Sequence, residues 1–272
     1  MVTVAIIFKD VKNLKVHICV IILEKMSKTA VCFLTIRPDP IMLDFLSRFN
    51  NYDVFIVVDD LRSDYQNPYP NVQLIKVTDE ECRQFGYIHS SYMPYSSLVF
   101  NEIIAWDRAL CYFTNINKDF KHVWFFEDDV FFYNEQTLIS IDSKYPETAD
   151  ILCKDKNPQP KPGEWDWFWP AVHIHFPEPY FHSPICAVRL SHIFLDKLNE
   201  YIQKNKKLAF IEALLPSIAH YYDLNYVLVD EFSQIHWRKE WDITEMNKHQ
   251  IFHPMKNREQ QKNVRHFLEM NH

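Results

Sequence analysis

Apolar residues in this chain come in short, β-rich runs that stop abruptly at charged or proline-bearing segments. Residues 29–36 (TAVCFLTI) end at Arg37-Pro38-Asp39-Pro40, Asp53–Val58 ends at Asp59-Asp60, and residues 72–77 (VQLIKV) form a third run. Each reads as a buried strand. Helical spacing of apolar positions predicts helices over 41–49, 191–204 and 211–222, and a long one over 96–116 with Leu98, Ile103, Ile104, Trp106, Ala109, Leu110 and Phe113 on its buried side. A further strand is expected at 225–229. Strands alternating with helices argue for an α/β sheet with crossover connections. The segment 153–184 breaks this rhythm with dense prolines around Trp165, Trp167 and Trp169. The tail from Ile235 mixes His, Trp and charges, and is expected to wrap over the sheet. With no repeat and no linker between two cores, residues 26–272 read as one domain. Residues 1–25 precede it as an added strand, a hairpin or a loose extension.

One run differs from the rest. Residues 122–132 (HVWFFEDDVFF) hold three consecutive carboxylates, Glu127, Asp128 and Asp129, inside an apolar and aromatic strand without Lys or Arg. Buried carboxylates are costly unless something positive meets them, and a metal ion is the obvious candidate. Alternation along a strand puts Glu127 and Asp129 on one side at its end. Hard ions such as Mg²⁺ or Mn²⁺ take oxygen ligands, and Mg²⁺ often combines one or two carboxylates with substrate phosphates. The plain alternative is a strand end whose acids face water or cap a turn. If the strands are parallel, Arg37, Asp59, Asp60 and the triplet converge on the rim where ligands bind in open sheets.

Composition narrows the chemistry. Hydrophobic residues make up 47% of 272 and aromatics 15%, enough for a sizeable core and too rich for disorder. A net charge of -7 argues against general nucleic-acid binding, which calls for a basic surface. The only glycines are Gly86 and Gly163. Glycine loops that cradle phosphates are therefore excluded, and a bound nucleotide would have its phosphates neutralised by metal and side chains. Six scattered cysteines without a CxxC pair read as reduced core residues of a cytoplasmic protein. No segment reaches the ~20 apolar residues that cross a bilayer, which leaves peripheral membrane association through residues 1–25 open.

With these residues in view, the chain resembles the GT-A fold of nucleotide-sugar glycosyltransferases. The hallmark of that family is a DxD-type acidic motif ending a mid-domain strand, matched here by Glu127-Asp128-Asp129. Phe210-Ile211-Glu212-Ala213-Leu214-Leu215-Pro216 is similar to the later motif that supplies the base in inverting members. Phe252-His253-Pro254-Met255-Lys256 is similar to the C-terminal His segment that completes the metal site in many members. The three occur in the family's order and span about residues 28–258. Two departures stand out: the first acid is Glu, and the small loop before the base motif, His182 to Ala187, has no glycine. The narrower resemblance is to glycosyltransferase-like proteins of large DNA viruses and algae.

The resemblance implies a GT-A-like (Rossmann-like) mixed, mainly parallel sheet flanked by helices, an Mn²⁺ or Mg²⁺ cofactor and a UDP- or GDP-sugar donor. Asp129 and His253 would hold the metal, with Glu127 helping directly, through water or by contacting the donor. Glu212 would be the general base; otherwise it is an acid at a helix N-terminus, favoured by the macrodipole. Thr35, Arg37, Asp59 or Asp60, Asp128, Ser183 and Lys256 are donor-side candidates. The alternatives are a turn acid for Asp59 or Asp60 and a solvated lysine for Lys256. Arg108 either approaches the nucleotide or pairs with Asp107 on a helix surface. Trp165, Trp167 and Trp169 share one side of an extended chain; they either suit stacking on an acceptor glycan or other hydroxyl acceptor or pack into the core, the commoner fate of tryptophan. The competing functions are a metal-dependent phosphohydrolase or nucleotidyltransferase, and a non-catalytic sugar-binding protein on the same fold.

Overall fold

The computed structural model describes residues 2–10, 15–23, 28–88, 91–92, 99–100, 103–159 and 177–271. Seven strands make one sheet: β1 Lys28–Thr35, β2 Asp53–Val58, β3 Val72–Ile75, β4 Phe120–Glu127, β5 Ile151–Cys153, β6 Ala187–Ser191 and β7 Tyr226–Leu228. Their spatial order is β7-β5-β6-β4-β1-β2-β3. Only β6 runs against its neighbours β4 and β5; every other adjacent pair is parallel. The α/β sheet is the one that the strand–helix alternation predicts, and its mixed, mainly parallel order is the one that the resemblance implies.

Period-two alternation sorts the strand residues between two cores. Ala30, Cys32 and Leu34 of β1 and Val123 and Phe125 of β4 face one layer. That layer is closed by α3 (Ala105–Cys111), α5 (His192–Asn205) and α6 (Ile211–Tyr221). Val31, Phe33, Trp124 and Phe126 face the opposite layer, under α1 (Pro40–Ser47) and α4 (Glu135–Lys144). With both faces covered, the strands read as continuous apolar runs, as parallel strands do. A third cluster, Phe131, Trp241, Met246, Phe252, Met255, Val264 and Leu268, fastens the C-terminal segments to the end of β4.

The long helix expected over 96–116 is much shorter. Residues 96–98 lie outside the described residues, Val99–Phe100 pairs as a strand with Ser91–Tyr92, and helix begins only at Ala105. Ile104 is extended, and its N–H donates to the Asp107 carboxylate at 2.8 Å, which sets the start. After Cys111 the helix widens into a π turn, closed by Asn117 N–H on the Tyr112 carbonyl at 2.9 Å.

Three helices, α4 among them, escape the apolar pattern because local hydrogen bonds and a thin apolar stripe define them. α2 (Asp79–Phe85) carries a capping box between Thr78 and Glu81 and ends at Gly86, whose φ of 85° is the left-handed conformation that favours glycine. α7 (Arg258–Met270) buries only Gln261, Val264 and Leu268. Near the N-terminus, Val2–Asp10 pairs antiparallel with Lys15–Leu23, one of the arrangements expected for the extension. The five cysteines with described side chains are free and buried. Among the described residues no helix is long and apolar enough to cross a membrane.

Candidate active site

The acidic triplet sits where β4 stops. Glu127 is the last strand residue, its N–H bound to the Cys186 carbonyl at 2.8 Å, and a turn follows in which Val130 N–H returns to the Glu127 carbonyl at 3.0 Å. Asp129 therefore reaches the side of Glu127 through a turn and not by strand alternation. The chain then pairs with a distant segment: Phe131 and Phe252 exchange both backbone hydrogen bonds at 2.8 Å. Met255 N–H also meets the Asp129 carbonyl at 2.6 Å. This bridge carries His253 to the acids.

Glu127, Asp129 and His253 offer three ligand atoms that all lie within 4.8 Å of one another. His253 Nδ1 lies 2.8 Å from the His236 carbonyl, which can only accept, so Nδ1 holds the proton. Nε2 is thereby aimed at the acids, 3.3 Å from Asp129 Oδ1 and 4.0 Å from Glu127 Oε2. Such outer hydrogen bonds orient metal-binding imidazoles. Trp106 of α3 donates its indole N–H to Glu127 Oε1 at 2.8 Å and fixes the other acid. The donor set, two carboxylates and a neutral-tautomer imidazole, suits a divalent ion of the Mn²⁺ type.

Charge is distributed unevenly. Burial raises the Glu127 carboxyl above its ordinary pKa, with Trp106 opposing. For Asp129 burial also pushes upward, but the His253 hydrogen bond and charge outweigh it and hold the group low. His253 is itself held above its usual value, because its bond to Asp129 overcomes burial. Ionisation is thus favoured at Asp129 by its histidine and opposed at Glu127 by burial.

A cavity of about 1090 Å³ opens beside it. Glu212, at the start of α6, lines this cavity with Glu127, Asp129 and His253. Burial, then the charge of Glu127, pushes the Glu212 carboxyl up to about 7. Lys256 lines the same space, as do Arg238 and Lys239. Trp237, 69% exposed, completes that wall. The roles of Trp106, His236, Trp237 and Arg238 were not legible beforehand. Trp106 read as an ordinary core residue of a helix, and the others sit in a tail without periodicity.

The other predicted residues lie elsewhere on the rim. Thr35 and Asp128 bind each other, since the Thr35 hydroxyl donates to Asp128 Oδ2, which also meets Arg258 Nη2 at 2.7 Å. Arg258 continues to Asp39 at 3.0 Å, the residue that caps α1. Arg37 pairs with Asp60 at 2.8 Å on the surface. Backbone and side-chain donors, Arg62 N–H first, hold Asp60 down to about 2. Arg108 is buried and fully engaged, with Asp59 at 3.0 Å, Asp79 at 2.7 Å and the Val77 carbonyl at 2.6 Å. The expected surface pair with Asp107 is corrected: Asp107 is buried and caps its own helix. Ser183 is buried, with its hydroxyl 2.8 Å from the Cys153 thiol and its N–H on the Glu212 carbonyl at 2.9 Å. It thus sits behind Glu212. Trp165, Trp167 and Trp169 lie outside the described residues.

No family model and no curated protein matches the chain. Similar solved structures include 4-diphosphocytidyl-2C-methyl-D-erythritol synthase from Anaerococcus prevotii, at TM-score 0.42 and 10% identity, covering 90% of this chain and 96% of that one. Mouse xyloside xylosyltransferase 1 gives 0.39 and 10%, covering 78% and 88%. The mannosyltransferase Ktr4p from S. cerevisiae gives 0.36 and 12%, covering 76% and 67%. At such scores and identities none of them carries an argument about chemistry.

Proposed function

We propose that the protein is a metal-dependent glycosyltransferase that moves a sugar from a nucleoside diphosphate to an acceptor hydroxyl with inversion. The observation that carries this reading is the placement of the Glu127–Asp129–His253 group and the raised-pKa Glu212 on the wall of one cavity. Glu127, Asp129 and His253 would hold a divalent ion, which would supply Lewis-acid stabilisation of the departing diphosphate. The imidazole favours Mn²⁺ over Mg²⁺, which prefers an all-oxygen shell. Arg238, Lys239 and Lys256 share the cavity wall and add positive charge where a diphosphate would lie.

Glu212 is the base of the reaction. It takes the acceptor hydroxyl proton as the oxygen bonds the anomeric carbon, while the bond from that carbon to the diphosphate oxygen breaks. A carboxyl near 7 is well matched to that task around neutral pH. A phosphohydrolase or nucleotidyltransferase using more carboxylates finds less support here, because Asp59 and Asp60 are committed to arginines.

The test is calorimetry with UDP- and GDP-sugars in Mn²⁺, followed by product analysis. Saturable binding of one class and transfer with inverted configuration are expected; failure of every nucleoside diphosphate to bind sinks the reading. In Glu212→Gln, donor binding should persist while turnover falls on the order of 10³-fold. The wild-type rate should climb as pH rises through about 7, where Glu212 loses its proton, and the variant should lack that limb. The sign for stability is opposite. Glu212 binds its proton more tightly folded than unfolded, so stability declines as pH rises from 4.5 toward 7. Glu212→Gln should therefore be more stable above neutrality, by on the order of 2 kcal/mol in denaturant melts.

A further inference from the structure

A second cavity, of about 720 Å³, lies between α1 and α7 and shares no lining residue with the first. Its most unusual feature is Arg265. The guanidinium carbon lies 3.6 Å from the centre of the Phe45 ring and 4.9 Å from that of Phe131, so two aromatic faces hold it in place. Its Nε is buried without a hydrogen-bond partner, and no carboxylate of the described residues comes within ion-pair distance. The Arg189 Nε is likewise buried without a partner, but the other buried or half-buried arginines each meet a carboxylate. Arg108 meets two carboxylates, Arg189 meets Asp142 at 2.6 Å, and Arg258 meets Asp39 and Asp128.

Ring faces attract a cation far less than burial without a partner costs it. Burial and then the charges of Arg258 and Arg48 push the Arg265 pKa down to about 9, so the guanidinium is still charged at neutral pH. Around the same cavity stand Arg48, Lys262 and His266. Two acids are present as well; Arg48 and Asp44 pair at 2.6 Å, which leaves Arg265 and Lys262, the latter 3.9 Å from Glu259, against Glu269. Such a surplus of charge at a concave site with aromatic and apolar walls (Phe45, Tyr69, Ile41) matches an anionic group on a small body.

We propose that the cavity between α1 and α7 binds a small, soluble phosphate-bearing compound, with Arg265 as its fixed anchor and Arg48 and Lys262 closing over the anion. The probe is inorganic pyrophosphate, titrated by calorimetry into the full chain in EDTA so that the metal-dependent site stays silent. Saturable binding at one site is expected. It should be lost in Arg265→Met, weakened at least about tenfold in Arg48→Gln/Lys262→Gln, and unchanged in Lys256→Gln. If Arg265→Met does not fold, the double variant, altered only at exposed residues, decides alone. No saturable heat, or binding that follows Lys256 and ignores Arg48 and Lys262, overturns the proposal. Co-sedimentation with phosphatidic-acid vesicles that depends on Arg265 and Lys262 would place the phosphate on a lipid and overturn the small-molecule assignment.

Discussion

Two groups of acids end parallel strands on the same rim and meet different fates. Asp59 and Asp60 follow β2, and Glu127 and Asp129 follow β4. Helix α3 reaches both groups. Arg108 neutralises Asp59 at 3.0 Å, whereas Trp106, two residues earlier, gives Glu127 a neutral N–H at 2.8 Å. Asp60 is closed off by Arg37, and Asp129 is approached by the Nε2 of a histidine at 3.3 Å. One group is thus a finished ion-pair network and the other retains unbalanced negative charge beside a cavity. Identical local patterns become structure or chemistry according to what a distant segment brings to them.

That contrast can be broken experimentally. The largest effect is expected from Asp129→Ala, which should lower transfer by on the order of 10³-fold and abolish Mn²⁺-dependent donor binding in calorimetry. The matching change on the other strand, Asp59→Asn, should leave the metal dependence of donor binding intact; loss of it there would erase the distinction. Next comes Arg108→Met, which leaves Asp59 and the Val77 carbonyl without their partner. A loss of about 3 kcal/mol in urea melts is expected, with Mn²⁺ affinity retained. Trp106→Phe keeps the ring packing and removes only the donor to Glu127. Metal affinity should fall roughly tenfold, with little change in melting temperature. The smallest effect belongs to Arg37→Ala. Its pair with Asp60 is exposed, and the change should cost less than about 1 kcal/mol, shrinking further in high salt. A large loss of donor binding in Arg37→Ala would move the nucleotide site toward β1 and β2.

Much of the sheet was legible in advance because buried parallel strands write themselves as unbroken apolar runs. Asp53–Val58 was bounded to the residue, and α1, α5 and α6 to within a residue or two. The helix around Trp106 was overdrawn because Ile103 and Ile104 continue an apolar spacing that the Asp107 cap cuts short. α2, α4 and α7 were missed because their apolar stripes are too thin to show and caps and ion pairs carry them, and the short strands β5 and β6 were missed as well. At the candidate site, Glu127, Asp129, Glu212 and His253 were all named from sequence, while Trp106 read only as a core residue and His236, Trp237 and Arg238 were not named. The first set consists of charged residues placed against apolar context or matching family motifs. The second consists of residues whose significance depends only on what faces them.

Local pattern alone therefore determined the strand–helix alternation and marked Glu127-Asp128-Asp129 as charge that an apolar strand would not carry without reason. It also excluded a glycine phosphate loop. Which carboxylates remain open was decided by tertiary structure. Asp128 is held by Thr35 and Arg258, Asp59 by Arg108, and Asp60 by Arg37. Only Glu127 and Asp129 are left to meet His253. The reason is physical: a carboxylate's chemistry depends on the charges and donors within a few ångströms, and here those arrive from other elements, Arg37 and Arg108 from nearer ones and His253 and Arg258 from more than a hundred residues away in sequence.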